Sequence, residues 1–463
     1  MAFCCKKAVG IAMRISMLLA IQRPLFAQHR QGYTLSELAD SAARHLPAIL
    51  QKQALVNSAQ ANVTDARHAA LPTLKLSDQV TIASANGAPG TYLPLGAVST
   101  AGAIRSDNIY QPASGNIAML YGEYELINFG LRKARVQDAL SGEQLAVSDL
   151  AKDQYLLKLR VGKLYFSILK GLYQLGVDEQ NIHRYAAVNN VILALARSGI
   201  KPGVDSSLAQ AELAKSRISY NQLTGEIRQL QQQLSFLTGI TDSIMIDTTV
   251  KRYDLTPPAG DSTAANPLID YYRKQKEVYQ AADNLIRKSY LPKILLAGGF
   301  WGRGTSVDYT DDYNYKALSS GLGYQRFNYA LGISFVYNLF DGVHRKDKLA
   351  VNQYKIQASD YGLAQQQQAL NTALQQAEAA IHTALQNLQE LPPQLNAAAN
   401  AYDQKLAQYK AGIINLVDLT NASFVLYRTQ TDYVEALNDW LQANLDKAAA
   451  SGSLDLFIQS VKN

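Results

Sequence analysis

The amino-acid sequence predicts a mainly α-helical fold that also contributes four β-strands per chain to a membrane. Three observations support this fold class. The chain contains two similar copies, each copy contains a pair of alternating strands, and two long helical stretches follow each pair. The 463 residues are 48% hydrophobic and 18% charged. No window offers the ~18–20 consecutive apolar residues of a spanning helix, so a helical membrane protein is excluded.

The N-terminus has the layout of a secretory signal peptide over residues 1–27. A basic segment is followed by a short apolar core at 15–21 and by Ala27 at a small-residue cleavage position. The alternatives are a cytoplasmic start and initiation at Met13. Both cysteines of the chain lie within this segment, which excludes a disulfide scaffold.

Four landmarks occur twice in the same order, which indicates two tandem copies of about 210 residues. The matched landmarks are Pro47 with Pro267, Leu71-Pro72 with Leu291-Pro292, Phe129-Gly130 with Phe340 and Gly342, and Gly199 to Asp205 with Gly412 to Asp418. We therefore expect a first structural repeat over 28–240, a linker over 241–265 and a second repeat over 266–463.

Each copy contains strands with one face of large apolar residues and one of small or polar residues. In the second copy the large face comprises Phe327, Tyr329, Leu331, Ile333, Phe335, Tyr337 and Leu339. This alternation is typical of outer-membrane barrels, although a hairpin on a soluble core is the alternative. Open sheet edges do not occur in lipid, so the chain must pool its strands with other copies of itself. Two copies would give eight strands and three copies twelve; the pattern alone does not decide.

Helical periodicity returns after the strands over 131–198 and 343–411, with returning helices over 205–238 and 415–448. At 1.5 Å per residue each long stretch could extend ~100 Å, which favours coiled-coil packing. The second long stretch contains Pro392-Pro393. These prolines predict either a bend that shapes a channel or a break that neighbouring residues bridge.

Taken together, these residues resemble the TolC-type outer-membrane efflux family. The matching features are Leu-Pro before the strands, Phe-Gly after them, two Gly-x-x-x-x-x-Asp hairpins, and Leu237-Thr238-Gly239-Ile240 at the end of the first copy. The resemblance implies long antiparallel coiled-coil helices that form a periplasmic α-barrel. It also implies a homotrimer in which each chain adds four strands to a 12-stranded outer-membrane β-barrel.

The resemblance further implies a passive exit duct in the outer membrane that extends into the periplasm. Its partners would be a periplasmic adaptor (membrane fusion) protein, an inner-membrane pump of the RND or ABC type, and outer-membrane lipid. Multidrug or other small-molecule export and type I protein secretion are not separated by the sequence. A pore-less periplasmic coiled-coil scaffold is the alternative from another class.

The resemblance assigns roles to residues in the two hairpins. The periplasmic tip and its adaptor contact would comprise Gly199, Ile200, Asp205, Tyr409 and Gly412. Asp418 would form the channel constriction as an acidic ring, and Asn421 stands where family members often carry a second acid. The other interpretation is local: the glycines end helices and the aspartates favour a helix N-terminus.

Basic residues follow the strands in both copies: Arg132, Lys133, Arg135, Arg345, Lys346 and Lys348. They oppose the dipole of the helices they begin, so we expect them to contact anionic headgroups at the membrane interface or to remain solvated. The residues 308–315, rich in Asp and Tyr, predict an external loop with poor spacing for calcium.

Other classes of function find little support in the sequence. The net charge of +6 is too small and too scattered for nucleic-acid binding. The six histidines lack the spacing of metal ligands. We therefore expect no enzyme activity, no metal and no cofactor.

Overall fold

The computed structural model describes residues 32–84, 109–197, 203–241, 244–248, 266–307 and 315–461. Several predicted features lie outside the described residues: the signal peptide, Gly199 and Ile200, most of the 241–265 linker, and 308–314 of the external loop. The prediction of a mainly helical chain with four strands is confirmed.

The elements occur in a similar order in the two halves of the chain. The helices are α1 (Leu35–His45), α2 (Pro47–His68), α3 (Leu131–Arg197), α4 (Gly203–Thr238), α5 (Pro267–Ser289), α6 (Asp341–Lys410), α7 (Leu416–Ser451) and α8 (Leu454–Ser460). The strands are β1 (Thr73–Ala83), β2 (Ala113–Ile127), β3 (Lys293–Thr305) and β4 (Arg326–Val336). Among these described helices, none combines the length and hydropathy required to cross a membrane.

The sequence pattern predicts one helical stretch over about 34–70 before the first strand. The structure divides this stretch into α1 and α2. Thr34 caps α1 through a capping box with Glu37, and the helix ends before Leu46, whose ψ of 122° is extended. A residue that precedes proline avoids the helical region, and proline fits the first position of a new helix. Pro47 therefore begins α2.

The four strands form one antiparallel sheet in the order β1-β2-β3-β4. The register pairs Leu74 with Gly122, Gly122 with Gly298, and Gly298 with Leu331. These residues belong to the face that carries the large apolar side chains, so the predicted alternation extends across the sheet. β1 and β4 are the two edge strands, and their residues are exposed along the whole length of each strand.

The chain divides into two compact units, each drawn from both sequence copies. The helical unit contains the described residues of Met1–Leu50, Asp153–Asn266 and Gln368–Asn463. The sheet unit contains those of Gln51–Lys152 and Pro267–Gln367. Long helices such as α3 and α6 contribute residues to both units.

In the core of the helical unit, aromatic side chains pack against α8. The ring of Phe166 lies edge-on to Tyr165 at 5.6 Å and to Phe457 at 6.2 Å. The carbonyl groups at the end of α7 accept hydrogen bonds from side chains, since Tyr155 Oη donates to Ala449 O at 2.7 Å and Asn266 Nδ2 donates to the same oxygen at 2.8 Å. These contacts satisfy backbone groups that a helix end leaves without partners.

The sheet unit joins its helices through polar contacts. Ser148 Oγ of α3 donates to Asp270 Oδ2 of α5 at 2.8 Å. Lys152 lies 3.8 Å from the ring centroid of Tyr271 and also pairs with Asp149. These contacts hold α3 against α5 within this unit.

Pro392-Pro393 lie inside α6, which continues as a helix on both sides of them. Both prolines are exposed, while Leu388 and Leu391 before them and Ala398 after them are buried. The buried seam therefore continues through the proline pair and anchors the helix on either side. This arrangement matches the interpretation of a break bridged by neighbours; whether the prolines bend the helix remains a prediction.

Candidate functional site

The turn between α6 and α7 is built around Gly412. Its φ of +74° lies in the left-handed region that favours glycine. Ile413 N donates to Gln408 O at 2.9 Å, and Gly412 N donates to Tyr409 O at 3.0 Å. This pair of bonds is a Schellman motif, which ends a helix by satisfying its last carbonyl groups.

The next helix begins immediately after this turn. Asn415 caps α7, and its Oδ1 accepts a hydrogen bond of 2.9 Å from the backbone N–H of Asp418. Asp418 thus stands in the first turn of α7, where a carboxylate is favoured by the helix dipole. Its side chain is partly exposed, and Asn421 one turn later is exposed. The local role of Asp418 is therefore compatible with the constriction role, which remains a prediction.

Tyr409 lies in the interior at the tip. It was predicted to contact an adaptor, but only 1% of it is exposed. It packs in a core cluster of buried residues from four helices: Val188 and Ile192 of α3, Ala209 of α4, Ala398 and Tyr402 of α6, and Leu416, Leu419 and Leu426 of α7. A side chain enclosed in this way holds the turn in place, and the adaptor contact of Tyr409 remains a prediction.

The structure brings Asp205 of the first hairpin close to Tyr409 of the second. Burial is the larger cause that raises the pKa of Tyr409, and the negative charge of Asp205 raises it further. Asp205 lies in the first turn of α4 and is partly exposed. The charge of Asp205 therefore acts on Tyr409, although the two residues are 204 positions apart in the sequence.

The same end of the helices carries exposed apolar residues that sequence reasoning did not select. Val204 is 67% exposed at the start of α4, and Ile413 is 73% exposed in the α6–α7 turn. Leu208 follows Val204 by four residues and Val417 follows Ile413 by four residues, and both are also exposed. Large apolar groups left in water at adjacent turns indicate a contact surface. These apolar residues could have been predicted as a contact surface from their position next to the hairpin glycines.

The six basic residues after the strands fall into two different environments. The Arg132 guanidinium lies 5.4 Å from the ring centroid of Tyr124, and Arg135 pairs with Glu125 at 3.8 Å. Lys133 is exposed. In the second copy, Arg345, Lys346 and Lys348 are all exposed at the start of α6. Protein contacts thus hold part of the first set, while the interface role of the six remains a prediction.

Replacing Gly412 with alanine is expected to destabilise the helical turn by about 1 kcal/mol, because an L-residue is strained in the left-handed region. A Cβ at this position would meet no other atom within 4 Å, so backbone strain is the only cost. Thermal melting followed by circular dichroism measures the effect. Gly342→Ala is the control, since its Cβ also meets nothing within 4 Å. Equal melting temperatures of the two variants would contradict the prediction.

Comparisons with known proteins relate most of the chain to one family and one fold. The family model for outer membrane efflux proteins matches residues 38–240 and 261–453. No curated protein is a significant match.

Three solved structures share the fold over most of their lengths. The CusC structure, described in connection with transmembrane channel formation, has a TM-score of 0.75 at 15% identity and covers 91% of this chain and 93% of its own. The Campylobacter jejuni CmeC outer membrane channel has a TM-score of 0.73 at 14% identity and covers 92% and 89%. The open state of the Neisseria gonorrhoeae MtrE outer membrane channel has 0.69 at 18% identity and covers 91% and 89%. At such low identity these structures establish the fold alone.

Proposed function

Because the chain belongs to the outer membrane efflux protein family, we propose that it forms a homotrimeric duct through the outer membrane and into the periplasm. The duct passively conducts substrates that an inner-membrane pump and a periplasmic adaptor protein deliver to it. The sequence resemblance to TolC-type proteins is confirmed by the family match.

The observation that carries the proposal is the sheet, whose large apolar face is exposed. On β4, Tyr329 is 84% exposed and Leu331 is 77% exposed. This face is suited to lipid, where apolar side chains are the ones tolerated at the surface. The edges of β1 and β4 must then be paired, since open edges are not viable in a bilayer. Pairing β4 of one chain with β1 of the next closes a barrel; three chains give twelve strands.

The hairpin ends support the second part of the proposal. Val204 and Ile413 expose apolar surface there. The turn around Gly412 is held by two backbone hydrogen bonds. An adaptor that carries complementary apolar residues could bury this surface. Asp418 and Asn421 of three chains would then surround the axis of the duct near its periplasmic end.

The test is single-channel conductance of the reconstituted protein in a planar bilayer. Replacing Asp418 with alanine is expected to reduce cation preference by roughly twofold or more, because three carboxylates would leave the constriction. Asp455→Ala removes one acid per chain at an exposed position of α8 and is the charge-matched control. An unchanged reversal potential for Asp418→Ala would remove this residue from the constriction.

The alternatives give different results in simple experiments. A pore-less periplasmic scaffold would wash off membranes in carbonate and would conduct no current. Type I protein secretion uses the same kind of duct, so the adaptor that binds the protein has to be identified. A pull-down that captures the adaptor of an ABC transporter would indicate protein secretion, and one that captures the adaptor of a proton-driven pump would indicate small-molecule efflux. Absence of heat-stable trimer bands in membranes that contain the wild-type protein would overturn the proposal that the chain forms a homotrimer.

A further inference from the structure

The apolar face of the sheet contains a groove near the end where the strands join the helices. Its volume is about 380 Å³, which lies within the usual range of ligand sites, about 300–1,000 Å³. The lining side chains from the large face are Leu74, Leu120, Tyr124, Leu296, Phe300 and Leu331. The groove therefore spans all four strands on the face proposed to meet lipid.

Glycines create the depth of this groove. Gly122 and Gly298 are paired across β2 and β3, and neither carries a side chain to fill the face. The side chains of Leu74 and Leu331 approach them from β1 and β4, since a Cβ at Gly122 would lie 3.6 Å from Leu74 Cδ1. The sheet face is otherwise covered by large residues, so the two glycines leave an apolar depression in it.

A cation stands at one end of the groove. Tyr124 lines the groove, and the Arg132 guanidinium lies over its ring at 5.4 Å. Arg132 donates through Nη1 to Tyr124 Oη at 3.4 Å and through Nη2 to Glu125 O at 3.3 Å. A guanidinium has five N–H donors, so two hydrogen bonds to described residues leave donors for an anion.

The contacts of Arg132 also position it. Stacking on an aromatic ring and two hydrogen bonds restrict a long side chain that would otherwise move freely. Its planar donors match a phosphate group, which guanidinium groups bind in a bidentate manner. The groove and Arg132 together therefore combine an apolar channel with a phosphate-binding end.

We propose that this groove binds an anionic phospholipid, with one acyl chain over Gly122 and Gly298 and the phosphate at Arg132. The site rests on the proposed function, because it requires the apolar face to lie in a bilayer and the helix end of the strands to lie at the membrane interface. The charge of Arg132 selects an anionic headgroup, and the apolar groove selects a molecule with an acyl chain.

Native mass spectrometry of the purified trimer tests the site with dioleoyl phosphatidylglycerol and dioleoyl phosphatidylcholine. Arg132→Gln is expected to weaken phosphatidylglycerol binding about tenfold, the loss of one charge-assisted contact, and to abolish the preference over phosphatidylcholine. Arg132→Lys keeps the charge and should retain part of that preference. Glycerol phosphate, which lacks acyl chains, should not displace the bound lipid.

The second part of the experiment fills the groove with a side chain. Gly122→Val is expected to weaken both lipids severalfold, and ordinary contact distances around its Cβ allow the sheet to fold. Two controls match these variants. Gly332→Val changes a glycine of β4 whose Cβ meets nothing within 4 Å, on the opposite face of the sheet. Arg345→Gln removes the corresponding exposed arginine of the second copy. Both controls should bind lipid within twofold of wild type.

The site is overturned if Arg345→Gln weakens phosphatidylglycerol as much as Arg132→Gln, or if Gly122→Val leaves binding of both lipids unchanged. Heat-stable trimer bands establish that each variant is folded. Conductance separates this proposal from the proposed function: normal conductance with unchanged lipid binding in the variants removes the groove site alone. Absence of conductance in wild type overturns the duct itself.

Discussion

Replacing Asp178 with alanine is expected to lower the free energy of unfolding of the helical unit by about 3 kcal/mol, because three polar groups lose their acceptor. Asp178 lies on α3 and is only 2% exposed. Its Oδ1 accepts hydrogen bonds from Tyr427 Oη at 2.9 Å and from Gln174 Nε2 at 3.0 Å. Its Oδ2 accepts one from Ser219 Oγ at 3.2 Å.

This carboxyl group connects three helices of the unit. Ser219 lies on α4 and Tyr427 on α7, so a single side chain of α3 holds both. Burial, and then the hydrogen bond to Asp178, raise the pKa of Tyr427, which keeps its hydroxyl group protonated as a donor. Loss of the acceptor leaves a partly buried phenol and amide without this partner, which costs more than the removed bonds alone would suggest.

Thermal unfolding of the purified protein measures the effect, with Glu179→Ala as the control on the neighbouring, exposed position. Asp178→Asn retains the size and one acceptor oxygen, so we expect an intermediate loss. If Asp178→Ala melts at the same temperature as Glu179→Ala, the contribution assigned to the three hydrogen bonds is wrong.

Replacing Gly304 with valine is expected to detach the segment of residues 315–325, here called the strap, from the sheet. The strap contains a short 3₁₀-helix, Leu318–Leu322, and lies against β2 and β3. An ideal Cβ on Gly304 would stand 1.8 Å from Gly323 O, a distance that no side chain can tolerate. Backbone atoms must therefore move before any residue larger than glycine fits.

Detachment would remove the hydrogen bonds that fix the strap. Asn116 Nδ2 donates to Leu322 O at 2.9 Å, and Tyr324 Oη donates to Asp78 Oδ2 at 3.0 Å. Ser114 Oγ also donates to Leu318 O. We expect amide exchange in the strap to rise roughly hundredfold, which corresponds to about 3 kcal/mol of lost local stability.

Hydrogen exchange followed by mass spectrometry reads this change peptide by peptide. Gly323→Ala is the matched control, because a Cβ there meets nothing within 4 Å although it belongs to the same segment. Peptides of the helical unit should exchange as in wild type for both variants. Equal protection of the strap in the two variants would show that the close approach at Gly304 does not restrain it.

Local patterns in the sequence predicted much of the fold. Proline in Leu71-Pro72 and Leu291-Pro292 marks the change from helix to strand, and α2 and α5 end shortly before these positions. The local interpretation of Gly412, the alternative to a tip role, was a helix end, and Gly412 adopts the left-handed conformation at the end of α6. The division at Leu46 was missed, although Pro47 provided the signal, because the apolar residues on either side suggested one continuous helix.

Residues whose environment depends on distant elements were predicted poorly. Tyr409 follows the helical pattern near an exposed turn, yet side chains from four helices enclose it. Arg132 and Arg345 occupy matching positions in the two copies, but only Arg132 has a described contact with a tyrosine of the neighbouring strand. No local pattern in the sequence identifies Asp178 as a buried acceptor, since its partners Ser219 and Tyr427 are 41 and 249 residues away.

The amino-acid sequence was sufficient to predict the repeat of elements, the two faces of the strands, the lengths of the long helices and the family resemblance. These features depend on periodicity and on glycine and proline, whose effects on the backbone are local. The folded structure was needed to identify which polar groups meet, which tip residue is buried, and where two glycines open a groove in the sheet. Such features depend on the packing of elements far apart in the chain, and no local pattern specifies that packing.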